Sequence, residues 1–116
     1  MSCLELNDAE IVKIAEPMME DIMLGVSRRD YQLHSTNFSV DLKSRITPEV
    51  FLSDCDQRES DWGLPGNREL TTIFRKHKSF TLVWVQHYTR TDEQIVAMTT
   101  IALKGGRYFV DYFLLH

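Results

Sequence analysis

Cysteine is scarce in this chain of 116 residues, and the two present, Cys3 and Cys55, stand far apart with no CxxC and no paired Cys/His spacing. That excludes a zinc motif and a dithiol redox motif, so no metal is assigned and a structural disulfide is not indicated. Glycine is equally sparse at five residues, and no phosphate loop or dinucleotide fingerprint can be assembled from them. None of the serines, from Ser27 to Ser79, sits in a glycine-rich elbow, so no nucleophile and no cofactor are expected. There is no long apolar run either. Met1–Asn7 leads into a mixed helical pattern rather than a signal peptide, so a cytoplasmic protein with no membrane partner is expected. A lipid anchor left on Cys3 by a trimmed leader is the alternative, although no lipobox precedes it.

Excess positive charge is missing too. The net charge is −4, which on average repels a phosphate backbone, and nucleic acid is not an expected partner. The one basic cluster, Arg75-Lys76-His77-Lys78, falls at an expected hairpin bend and lacks interleaved aromatics. The acidic run Asp54, Asp56, Glu59 and Asp61 reads as a solvated helix face.

What is present is an ordinary globular composition, 43% hydrophobic and 26% charged, of a size that makes residues 1–116 a single domain. Asn7 or Asp8 can cap a helix over Ala9–Val26, where Ile11, Ile14, Ala15, Met18, Met19, Ile22 and Val26 recur at helical spacing. Pro17 predicts a kink or two abutting segments, and Gly25 an end or bend. Ser27 is the expected cap of a short helix over Arg28–Phe38, whereas Ser39–Ile46 has no clear pattern. Thr47-Pro48-Glu49-Val50 starts a further helix, which Gly63 stops.

The last third reads as strands. Phe80–Tyr88, Gln94–Leu103 and Arg107–Leu115 follow a weaker strand over Arg68–Phe74. With Gly105-Gly106 as a hairpin loop, Leu103 faces Tyr108 and Thr99 faces Tyr112. With Thr91-Asp92 as the preceding loop, Tyr88 faces Ile95 and Gln86 faces Ala97. One face then collects Leu82, Trp84, Gln86, Tyr88, Thr99, Ile101, Val110 and Tyr112, and is expected to pack on the helices. The other collects Val83, Val85, His87, Met98, Phe109, Asp111 and Phe113. It carries more apolar surface than a monomer normally exposes.

A helix, a short helix, a Thr-Pro-Glu helix ending in Trp62-Gly63 and a four-stranded meander together resemble the cystatin-like fold of the nuclear transport factor 2-like superfamily. The run from Val26-Ser27-Arg28-Arg29-Asp30-Tyr31 through Ile46-Thr47-Pro48-Glu49 and Trp62-Gly63 to Gly105-Gly106-Arg107 is similar to small prokaryotic families of unknown function. The resemblance implies an α+β architecture in which helices pack into a curved four-stranded antiparallel sheet. It also implies a cone-shaped cavity and frequent dimers. Relatives include isomerases, dehydratases and non-catalytic binding domains, and fold alone does not choose among them.

Three functions follow from the residues. The first is a non-catalytic homodimer, pairing through Val83, Val85, Met98, Phe109 and Phe113 and holding a small apolar ligand against Trp84, Gln86, Tyr88, Thr99 and Tyr112. For those five polar-tipped side chains the competing expectation is that they satisfy backbone carbonyls in a filled core. The second function is a cavity enzyme using Asp111 or a histidine, although Asp111 and His87 fall on the outer face and no catalytic residue is assigned. The third is an interaction module whose outer face binds another protein. His34, on the short helix, is a candidate for the cavity mouth near Tyr31, and the favoured expectation for a lone histidine there is a half-buried packing residue.

Overall fold

The computed structural model describes residues 1–116 as four helices followed by a four-stranded antiparallel meander. After a short 3-10 turn at Cys3–Glu5, α1 spans Asp8–Arg28. It opens with a capping box: Asn7 accepts from the Glu10 amide and the Glu10 carboxylate accepts from the Asn7 amide. Pro17 does not divide this helix. It lies on the exposed side, where water can take the place of the donor it removes. Gly25 does not end the helix either. A Cβ there would lie 2.5 Å from the His34 backbone nitrogen, so its role is to let the backbone at His34 approach closely. The stop comes at Arg29, left-handed at φ 53°, and Ser27 donates to the Met23 carbonyl instead of capping.

The expected helix over Arg28–Phe38 is therefore only α2, Tyr31–His34, capped by Asp30. The unassigned stretch contains α3, Val40–Arg45, capped by Ser39. α4, Pro48–Trp62, has the expected Thr47 cap and ends at Gly63, whose φ of 89° suits glycine. No helix is long and apolar enough to cross a membrane.

The sheet follows sequence order: β1 Pro65–Arg75, β2 Ser79–Tyr88, β3 Thr91–Lys104 and β4 Arg107–Leu115. Helix α1 lies across its inner face. Ile11, Ala15, Met19 and Ile22 are buried in one cluster with Phe80, Leu82, Trp84, Ala97, Ile101 and Val110. A second, small cluster of Val26, Phe51 and Cys55 joins α4 to α1. Both thiols are buried and free.

Two features of the strands differ from the expected register. The β2–β3 turn is Thr89-Arg90, so Gln86 faces Ile95 and Trp84 faces Ala97, two residues away from the expected pairing. An even shift leaves every side chain on its face. The β3–β4 hairpin begins as expected with Leu103 opposite Tyr108, but a bulge at Asp111 then sets Thr100 opposite Tyr112 and Thr99 opposite Phe113. A one-residue bulge exchanges the faces beyond it. Phe113 and Leu115 turn inward while Tyr112 and Leu114 turn out.

Candidate functional site

Four of the five inner-face residues come together: Trp84, Gln86, Tyr88 and Thr99 are all buried beneath the helices. Tyr112 does not join them, because the bulge puts it on the opposite face at 38% exposure. Thr99 Oγ1 lies 3.6 Å from the Met19 sulfur. Gln86 works as a staple across an irregular stretch of β1 and β2, donating from Nε2 to the carbonyls of Gly66 at 2.9 Å and His87 at 3.0 Å. Part of the filled-core expectation is thus realised.

The remainder stays unsatisfied. Gln86 Oε1 and the Tyr88 hydroxyl are buried without hydrogen-bond partners. Such groups cost free energy unless water or a ligand meets them. Burial pushes the Tyr88 phenol up to about 12, so it stays a neutral donor. The space left beside it, between Val26, Cys55, Arg58 and Gly63, measures about 10 Å³. That is room for one water. Larger hollows lie at the surface, including one of about 310 Å³ between Phe38, Val40, Lys43, Lys104 and Phe109.

α4 closes the cone above this point, with Trp62 against Tyr88 at 5.2 Å between rings. Its ties are polar. Arg29 pairs with Asp56 and Glu59, and Arg90 donates to the Glu59 carbonyl at 2.6 Å. At its end, a Cβ on Gly63 would meet Thr89 Oγ1 at 2.3 Å. These two acids of the acidic run lie on an exposed helix face, as expected, and pair there with Arg29.

The ionisable candidates separate. His34 is not at an open mouth: its ring is packed among Phe38, Phe51 and Phe113, with Nδ1 2.9 Å from the Ile22 carbonyl. Burial lowers its pKa to about 4, which keeps the ring neutral, so Nδ1 donates that bond. Tyr31 donates to the Ile46 carbonyl at 2.6 Å. On the outer side, His87 Nε2 lies 2.8 Å from Glu69. Asp111 accepts from Ser39 Oγ at 2.7 Å and from the Lys104 ammonium at 2.9 Å. Those two donors, Lys104 foremost, hold its carboxyl below the usual carboxylate range. Because Ser39 also caps α3, the bulge carboxylate fastens that helix to the sheet edge. The backbone helps: Val110 donates to the Asn37 carbonyl at 2.7 Å and the Ser39 amide to Val110 at 2.8 Å.

Of the outer-face residues, Val83, Val85, Met98 and Phe109 share one surface and remain partly exposed. Phe113 is not among them; at 8% exposure it packs on His34 in the interior. Tyr112 and Leu114 take its place, and Phe74 stands at the β1 rim.

No family model matches this sequence, and no curated protein does either. Solved structures do share its fold. A nuclear transport factor 2-like protein of unknown function from Pseudomonas putida KT2440 is 13% identical with a TM-score of 0.56, over 93% of this chain and 87% of that one. Bd1075 of Bdellovibrio bacteriovorus has the same identity and TM-score over 95% of this chain. The chain spans only 42% of the length of that second protein. At this identity the likeness is one of fold, and the fold is the nuclear transport factor 2-like cone.

Proposed function

We propose that this chain is a non-catalytic cone domain that pairs with a second copy of itself through the outer face of its sheet. The observation that carries this reading is the outer face itself. Apart from α3 at the β4 margin no helix covers it, and Val83, Val85, Val96, Met98, Phe109, Tyr112 and Leu114 form an apolar field across β2, β3 and β4. Surfaces of that kind mark interfaces. A two-fold axis lets one such patch cover its own copy. The acid–base candidates support a non-catalytic role, because Asp111 and His87 are engaged outside the cone and His34 is packed as a neutral aromatic plate. Two free buried thiols suit a reducing compartment such as the cytoplasm.

Sedimentation equilibrium tests the pairing. The wild-type chain is expected to be dimeric at micromolar concentration, and Met98→Glu to be a folded monomer. A wild-type chain that stays monomeric up to millimolar concentration removes the reading.

A second reading has its own observation. The unpartnered Gln86 Oε1 and Tyr88 hydroxyl support a small, mostly apolar ligand with one or two hydrogen-bonding groups, admitted when α4 lifts from the cone. Titration with small phenols, followed through Trp62 and Trp84 fluorescence, should saturate in wild type and weaken in Tyr88→Phe. The absence of any saturable change up to millimolar phenol would end this second reading.

A further inference from the structure

The two ends of the sheet carry opposite charge, and this bears on how two copies meet. At the end formed by the β1–β2 and β3–β4 hairpins stand Lys76, Lys78, Lys104 and Arg107, all exposed. At the other end, where β2 turns into β3, stand Asp92 and Glu93, with Glu69 on the neighbouring strand; the one cation in that turn, Arg90, is engaged by the Glu59 carbonyl of α4. Between the two ends the face is mainly apolar, interrupted by the hydrogen-bonded pair Thr81 and Thr100. Lys104 shares its charge with Asp111, and Glu69 lies against His87, but Lys76, Lys78, Asp92 and Glu93 have no ion-pair partner in the chain.

Face-to-face packing of identical sheets permits a two-fold axis in the interface plane, either along the strands or across them. An axis along the strands puts basic end on basic end and acidic end on acidic end. An axis across the strands puts each basic end over the partner's acidic end. Like charges brought together oppose association, whereas opposite charges steer it and fix its register. We propose, resting on the pairing reading above, that the partner of this face is a second copy stacked with its strands antiparallel, its acidic turn lying over the lysine-rich hairpins.

The size of the face permits it. Four strands about 4.8 Å apart and about ten residues long at roughly 3.3 Å each present roughly 600 Å². Two copies then bury roughly 1,200 Å², the lower bound for a specific interface. Apolar contact at that bound leaves the charged ends to decide orientation. The exposed Phe74 and Leu114 lie at opposite margins of the field, so the apolar centre itself does not favour one axis.

Salt distinguishes the two axes by sign. In the antiparallel stack the end charges attract, so raising sodium chloride from about 20 to about 500 mM should weaken the wild-type dimer by three- to tenfold in sedimentation equilibrium. In the parallel stack they repel, and salt should tighten it. Charge reversal adds an independent arm. Lys76→Glu with Lys78→Glu gives a copy acidic at both ends, which should dimerise about tenfold more weakly, and Asp92→Lys with Glu93→Lys should do likewise. Mixing the two variants should restore wild-type affinity as a heterodimer. These four side chains are exposed, so folding is retained and circular dichroism verifies it.

A dimer that salt tightens or leaves unchanged, or that tolerates Lys76→Glu with Lys78→Glu without loss, overturns the antiparallel arrangement while leaving the pairing reading intact. A chain that never dimerises overturns both.

Discussion

The two long helices hold to the same sheet by different means. α1 buries Ile11, Ala15, Met19, Ile22 and Met23 in the main core, whereas α4 buries only Phe51 and Cys55, in a satellite cluster of its own. α4 is otherwise tethered by charge, through Arg29 and Arg90, and by ring contacts of Trp62 with Tyr88 and of Phe51 with His34 and Tyr31. Burial of apolar area is not screened by salt, whereas exposed ion pairs are screened and contribute little. The comparison teaches that α1 and the sheet are the scaffold and α4 is its cover. The unsatisfied Tyr88 hydroxyl lies under the cover.

The largest effect that sharpens this difference is expected inside the scaffold. Trp84 is fully buried against α1, and Trp84→Ala should cost about 3–5 kcal/mol in urea unfolding. Phe51→Ala should cost about 3 kcal/mol, the lower end of the same range because its satellite cluster is small, and its loss should appear mainly in the hydrogen exchange of α4. Equal costs for the two substitutions would erase the distinction between scaffold and cover.

The next effect lies where the two regions meet. His34 touches Phe51 of the cover and Phe38 and Phe113 of the scaffold. Burial holds its folded pKa at about 4, below the ordinary histidine value of 6.5. The unfolded chain therefore takes up the proton first, and the stability His34 provides is complete above 6.5 and lost as pH falls towards 4. An interval of that width corresponds to about 3 kcal/mol. His34→Phe should remove that segment of the pH profile, and an unchanged slope between 6.5 and 4 would show that His34 is not the group responsible.

A smaller effect is expected at the bulge. Asp111→Ala deletes the acceptor for Ser39 and Lys104 and should cost about 1–2 kcal/mol. The carboxyl is held below its ordinary range, so the contribution is present at neutral pH and is lost only as pH falls through that lowered value. Exchange should rise in α3 and leave α4 untouched. If the amides of α4 exchange faster instead, the bulge and the cover are coupled.

The same bulge marks the limit of what was legible in the residues. Caps at Asn7 and Thr47 and the stop at Gly63 are local chemistry, and the structure has them where the residues place them. The inner face of β2 and β3 was legible because its alternation survives an error of two residues in register. β4 offered no such protection. Tyr108, Val110, Tyr112 and Leu114 are as apolar as Phe109, Phe113 and Leu115, so nothing in the alternation reports a one-residue insertion that exchanges Tyr112 for Phe113. The available signal was Asp111, a carboxylate in mid-strand, which needed a donor. That donor, Ser39, is 72 residues away in sequence, within a segment whose helix has only six residues. The closure of the cone beneath α4 was hidden for a similar reason, since it depends on Arg29 leaving α1 at a left-handed residue and reaching Asp56 and Glu59.

Arg29 gives the smallest effect and the cleanest separation of the two regions. Its backbone sits at φ 53°, a conformation that costs a residue with a Cβ about 1 kcal/mol and glycine almost nothing. Its side chain belongs to the tether of α4. Arg29→Ala loses the tether and keeps the backbone strain; Arg29→Gly loses the tether and relieves it. Global stability in urea should therefore fall slightly in the alanine variant and stay near wild type in the glycine variant. The amides of α4 should exchange about threefold faster in both, with those of α1 unchanged. Because strain acts through the global equilibrium and the tether through local opening, only a cover held by charge produces that pattern. Were α4 held by its buried face instead, neither variant would alter its exchange.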